Sequence, residues 1–255
     1  MTDPVAEALA FVESVEIPGP PGGFEAAESD MNPPDFGAAG EQSVAIGSQI
    51  AGFAESVPAD LRRFIADAFL LAQLAATKAI ESGGTGAQWY DTYVATLGKV
   101  GWTAESADRS MRVVAGGSAE VHKEILSVLA LVLGPGAAAA ASVIAVLKGL
   151  DNMDRQTPWI TLFQRRSQRA NANQFQISTA SVEQGVPVVR LVGFDLDASR
   201  SVTQVLFFRF GQSDATLRQF SQTMSVDEPL FRAAGPKIAE RLGAHVGEEI
   251  AAIDI

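Results

Sequence analysis

Asp195 and Asp197 form an Asp-x-Asp at the end of a strand-like run. Two carboxylates so spaced gather the hard oxygens that a divalent cation binds. The same spacing is also ordinary turn chemistry. The two histidines, His122 and His245, are far apart and fall in no metal-ligand spacing. Each reads as a surface or helix-end residue rather than a base. Cysteine is absent, which removes thiolate nucleophiles and disulfides. Gly83-Gly84-Thr85-Gly86 lacks the lysine of a phosphate-binding loop and follows no strand, so it reads as a linker. Gly47-Ser48-Gln49-Ile50 lacks the glycine spacing of a nucleophile elbow. Trp89, Tyr90 and Tyr93 cluster on an amphipathic helix and read as core packing. Nothing here assembles a nucleophile, a base and a stabiliser of developing charge. The chain is expected to be non-enzymatic and to carry no cofactor or metal.

Charge gives a second constraint. Arg155, Arg165, Arg166 and Arg169 are the densest basic patch. They read as a solvated helix face or as counter-charge for acidic residues elsewhere. Contact with phosphate headgroups or with the acidic N-terminal segment is the alternative. Four bases without an aromatic ladder do not make a nucleic-acid surface. The formal net charge of −11 is unevenly placed: residues 1–60 hold 11 acidic side chains and no Lys or Arg. The remainder balances at 19 acids and 19 bases. The acidic segment therefore repels nucleic acid and anionic lipid.

The elements that must position these groups fall into three stretches. Residues 1–43 read as an acidic, Pro/Gly-rich arm, broken at Pro18–Gly23 and at Asn32–Gly37. A short helix at Pro4–Val15, capped by Asp3, is expected within it. Phe11, Val15, Ile17, Phe24 and Phe36 are spaced apolar anchors, as in an arm that docks on a neighbouring subunit. Residues 44–170 read as a helical domain. Leu61, Phe64, Ile65, Ala68, Phe69, Ala72 and Ala76 keep helical spacing after Pro58, and Leu70, Leu71 and Leu74 widen the buried face. Further helices are expected at 87–100, 104–115, 120–133 and 137–150, and one opens at Pro158. Residues 171–255 change to alternation. Strand-like runs at 174–183, 186–196, 202–210 and 216–224 are separated by turns such as Gln184-Gly185. A final helix is expected after Asp227-Glu228-Pro229. The predicted fold class is thus α+β: an N-terminal helical bundle with a central apolar helical hairpin, then an antiparallel β-meander of about four strands and a C-terminal helix.

The apolar hairpin is the main functional lead. Ile125 to Leu147 is uncharged over its whole length. Its apolar groups include Ile125, Leu126, Leu129, Leu131, Leu133, Val143, Ile144 and Leu147, and it is split by Gly134, Pro135 and Gly136. As helices the two arms are roughly 14 and 17 Å long, short of a bilayer core of about 30 Å. The run resembles the hydrophobic hairpin of pore-forming colicins and the apolar tongue of cytolysin A-type helical toxins, over about 25 residues of the 255. In those families an apolar hairpin is packed inside the soluble form and released at the membrane. The resemblance implies a self-associating, membrane-active, pore-former-like protein. The alternative is a soluble assembly or partner-binding protein whose acidic arm docks on another subunit. The expected partners are a second copy or another protein, with conditional membrane contact and no nucleic acid. The chain shows no secretory signal. It is expected to be cytoplasmic as made, or exported without a classical signal peptide.

Overall fold

A computed structural model describes residues 3–19, 31–108, 111–112, 121–132, 138–169, 172–198, 205–207 and 215–253. In chain order, helix α1 (Pro4–Ser14) precedes a hairpin of β1 (Gln42–Ile46) and β2 (Gln49–Phe53). Helices α2 (Ala59–Ala79) and α3 (Gly86–Lys99) lead into β3 (Trp102–Asp108) and β4 (Met111–Arg112). The helices α4 (Val121–Val132), α5 (Ala138–Gly149) and α6 (Pro158–Ser167) follow. Then come β5 (Gln168–Arg169), β6 (Ala172–Glu183), β7 (Val186–Ala198) and β8 (Ala215–Val226). Helices α7 (Glu228–Leu242) and α8 (Val246–Glu249) and strand β9 (Ile250–Ala252) complete the described elements.

The strands form one mixed sheet in the order β3-β8-β7-β6-β2-β1-β9, with β4 beside β8 and β5 beside β6. Among the described residues only β2 and β6 pair in parallel, with Ile50 opposite Ile177. The remaining pairs are antiparallel. Successive strand residues point to opposite faces, and both faces here are apolar. Val44, Ile46, Phe53, Val189, Leu191 and Met224 belong to one core under α1, α2, α3 and α7. Ala45, Ile50, Phe175, Ile177, Val192, Phe194 and Leu217 belong to a second core under α4, α5 and α6. The molecule is therefore mixed α+β, built as helices, sheet and helices in three layers.

Local chemistry sets the element ends. Asp3 accepts from the backbone N–H of Val5 at 3.0 Å, with Pro4 in the first turn of α1. Thr85 and Gln88 form a capping box at the start of α3. Asp227 accepts from the N–H of Leu230 at 3.1 Å to start α7. Gln184 and Gly185 both take positive φ (52° and 83°), which turns β6 back into β7 in two residues.

Three expectations change. The stretch 44–170 is not a bundle separate from the sheet, because β1, β2 and β3 are strands of it. The helix expected at 104–115 is replaced by β3 and β4, both paired with β8. Gly101, at φ +102°, turns the chain straight out of α3 onto the sheet edge. Among the described residues the meander has three long strands, β6, β7 and β8, where four were expected. Within the expected strand at 202–210, Val205–Phe207 form a single 3-10 turn whose apolar side chains fill the second core, which explains the unalternated pattern; the rest of that run lies outside the described residues.

The expected short helix in the arm is α1. It packs on α7 of the same chain, with Ala8 and Val12 buried in the first core. Phe11, Val15, Ile17 and Phe36 pack against that core, while Phe24 lies outside the described residues.

Candidate functional site

The predicted hairpin is α4 and α5, which pack on each other and on the sheet. Ile125, Leu129, Val143 and Leu147 are buried in the second core, and Leu126 and Ile144 are partly buried against it. Lys123, Ser127, Ala141, Ala145 and Lys148 face outward. The side chain of Leu131, and Leu133, Gly134, Pro135 and Gly136, lie outside the described residues. Both helices are thus amphipathic covers, apolar toward the sheet and small or polar outside. Among their buried residues only Ala139 belongs to the first core. No described helix is long and apolar enough to cross a membrane.

The Ser43 hydroxyl donates to the Ser142 hydroxyl at 3.0 Å, tying β1 to α5. Gly52 lets α5 settle onto β2: a Cβ there would stand 2.5 Å from Val143 Cγ2 and 2.7 Å from the Ala139 carbonyl. At the foot of the layer His122 is buried, not exposed. Its Nδ1 lies 2.9 Å from the Leu206 carbonyl and its Nε2 lies 3.4 Å from the Asp151 carboxylate. Lys123 Nζ meets the other Asp151 oxygen at 3.1 Å. The hydrogen bond from Lys123 holds the Asp151 carboxyl below the usual range.

The basic patch is not one surface. The Arg155 guanidinium stacks 4.3 Å above the Phe207 ring. Arg166 pairs with Glu249: Nε donates to Oε2 at 2.8 Å, and Nη2 contacts Oε1. Arg165 and Arg166 both line a cavity of about 650 Å³ bounded by α2, the α2–α3 loop, α6, β6 and α8. The side chain of Arg169 lies outside the described residues. Glu249 is 1% exposed. Burial raises its carboxyl to about 7, with Arg166 opposing that rise.

Behind the cavity lies a buried amide and hydroxyl network. Gln73 Nε2 donates to the Ile46 carbonyl at 2.8 Å, and its Oε1 accepts from the N–H and hydroxyl of Ser48. Gln49 donates to Ser178 and accepts from the Tyr93 hydroxyl, both at 2.8 Å. Gly47 (φ +51°) makes the β1–β2 turn under this network; a Cβ there would stand 2.7 Å from Gln73 Oε1.

The other candidates take structural roles. Arg218 sits opposite Asp195 on β8 and pairs with Asp195 at 3.2 Å and with Asp197 at 3.5 Å. Burial raises the Asp195 carboxyl, against the pull of Arg218. No cluster of three metal-ligating side chains occurs among the described residues. Trp89 stacks on Tyr93 inside the first core, and Tyr90 stacks at 4.9 Å on Phe220, which packs against that core. Sequence reasoning missed Glu249, Gln174 and Gln73. One signal was available: Gln174, Gln176 and Ser178 alternate along one face of β6, an inward polar stripe that an ordinary core would not carry.

No protein-family model matches the chain, and no curated protein is significantly similar to it. Three solved structures are similar in chain course. One is a delta-endotoxin, at 13% identity and TM-score 0.41, over 84% of this chain and 90% of that one. The second is the Evf virulence factor, at 11% identity and TM-score 0.38, over 92% and 89%. The third is the activated Cyt2Ba monomer from Bacillus thuringiensis subsp. israelensis, at 13% identity and TM-score 0.34, over 76% and 94%. At such identities and scores the likeness is loose and transfers neither an activity nor a residue role.

Proposed function

We propose that this chain is a membrane-active protein whose α4–α5 layer lifts from the sheet at a lipid surface. The observation that carries this reading is the division of the interior into two cores by the sheet. Lifting α4 and α5 bares the apolar sides of both helices and one face of the sheet. The first core, under α1, α2, α3 and α7, stays shut. The structure therefore has a cheap way to expose a large apolar surface, because half of the fold keeps its packing.

Each helix of the layer has 12 residues, about 18 Å at the helical rise. A bilayer core is about 30 Å. The released helices would therefore lie in the interfacial region with their apolar sides down, as amphipathic helices do. Lateral crowding of such wedges, or self-association of the opened chains, would then make the membrane leak. The net charge of −11 favours zwitterionic over anionic lipid.

The absence of cysteine permits a clean test. Ser43→Cys with Ser142→Cys places two thiols where hydroxyls now touch, and oxidation should lock α5 to β1. Dye release from phosphatidylcholine vesicles is expected from the reduced double variant and from the parent chain, and is expected to stop when the bond forms. Equal leakage from the locked and reduced forms, or no leakage from either or from the parent, would overturn the reading.

A further inference from the structure

The cavity beside Glu249 takes no part in holding α4 and α5. Its volume, about 650 Å³, is that of a small-molecule site. Leu70, Leu74 and Ile80 give it one apolar wall. Arg165, Arg166 and Glu249 stand on the rest, and Glu81, which also lines it, is paired with Lys78.

Gln174 decides which chemistry fits. It lines the cavity, is 3% exposed, and its Oε1 is buried without a hydrogen-bond partner among the described residues. A buried acceptor left unmade is unfavourable, so a ligand that supplies a donor gains about 10-fold in affinity. Phosphate monoester dianions and carboxylates have no proton to give. An ammonium gives protons but accepts nothing, and so leaves the guanidinium edges unserved. A hydroxyl does both. The flat edges of an amide, a guanidinium and a carboxyl lining one cavity match pairs of neighbouring hydroxyls, and the apolar wall suits the C–H face of a ring.

We propose that this cavity binds a neutral polyhydroxylated ligand, a monosaccharide or the terminal sugar unit of a glycan, with Gln174 accepting from one hydroxyl and the Arg166–Glu249 pair meeting an adjacent two. Burial supports the role given to Glu249. With its carboxyl raised to about 7, it both donates and accepts near neutral pH. Ser82 and Gly83 form the exposed rim, so a ligand enters past the α2–α3 loop.

Saturation-transfer NMR on the full chain tests this with glucose, galactose, mannose and N-acetylglucosamine, their methyl glycosides, and methyl phosphate and acetate as charged controls. At least one neutral sugar is expected to show transfer and a millimolar dissociation constant, with methyl phosphate and acetate silent. Transfer to the methyl glycoside marks the end unit of a glycan; transfer to the free sugar alone marks a soluble sugar. Gln174→Ala is expected to weaken binding about 10-fold, the loss of one hydrogen bond. Ser82→Trp, at the rim and away from the buried network, is expected to abolish binding without moving Tm. Silence from every sugar, transfer to methyl phosphate instead, or binding untouched in both variants would overturn the assignment. None of these outcomes depends on vesicle leakage.

Discussion

Ser43 and Ser142 touch hydroxyl to hydroxyl at 3.0 Å across 99 residues of chain, and they join the sheet to the layer that covers its second face. The Ser142 hydroxyl also donates to the Ala139 carbonyl at 3.2 Å, so its removal costs two hydrogen bonds. Ser142→Ala is expected to lower stability by roughly 1–2 kcal/mol, read from the urea midpoint. In the locked double variant the sign reverses. A disulfide closing a loop of this length removes about 4–5 kcal/mol of unfolded-state entropy, so Tm should rise on oxidation. A fall in Tm on oxidation would mean that the two side chains are not neighbours.

Gly52 sets how closely α5 approaches the sheet. Gly52→Ala forces a methyl group against Val143 Cγ2 and the Ala139 carbonyl. Overpacking of this kind costs about 1–3 kcal/mol. Because the strain falls on the contact between α5 and β2, the variant should also release vesicle contents faster than the parent chain. A variant of unchanged stability and unchanged rate would show that the contact is looser than described.

Arg62 is 3% exposed and donates to four backbone carbonyls, those of Val57, Ala38, Gly40 and Ala54. It pins the segment before β1 to the start of α2. Its desolvation pulls the guanidinium below its usual range. Arg62→Ala leaves these acceptors to find water and is expected to cost roughly 3 kcal/mol. Arg62→Lys should recover only part of this, since one ammonium cannot reach four separate carbonyls. Denaturant titration of the two variants against the parent checks the order.

The pH dependence of stability follows from Glu249. Its carboxyl is raised from 4.5 to about 7 by burial. The folded state therefore holds this proton more tightly than the unfolded state does. Its contribution is fully present below pH 4.5 and is lost as pH rises through about 7. The loss amounts to roughly 3 kcal/mol at most. Glu249→Gln is expected to flatten this part of the stability profile, measured as the urea midpoint from pH 4 to pH 8. A profile equally steep in the variant would place the titrating group elsewhere.

Much of the architecture was readable because it rests on local pattern. The alternation of Phe175 and Ile177, the two-residue turn at Gln184-Gly185, and the helical spacing from Leu61 to Ala76 each specify their element within a dozen residues. The apolar runs flanking Gly134-Pro135-Gly136 likewise gave α4 and α5. What stayed hidden depends on distant partners. Val44 to Phe53 is too short a run to show its period, and β2 is a strand because β6, more than 120 residues later, pairs with it. Strand β3 carries Thr103, Ala104 and Glu105, which suit a helix equally well; β8 decides the matter. Glu249 gave no sign of its role, since only the fold brings Arg166 beside it. The basic patch misled for the same reason: neighbours on one helix, Arg165 and Arg166, turn toward a cavity whose other walls come from α2 and α8.

The place of β9 has a consequence for synthesis. Ile250 to Ala252 pair with Val44 to Ile46, so the outer edge of β1 is covered by a strand made on the order of 200 residues later. At the pace of a ribosome, roughly 5–20 residues per second, β1 waits 10 seconds or more for that neighbour. An open apolar edge held that long is a template for the same strand on another nascent chain. The acidic side chains crowded ahead of residue 60 sit beside this edge in sequence, where like charge keeps two unfinished chains apart until the sheet closes.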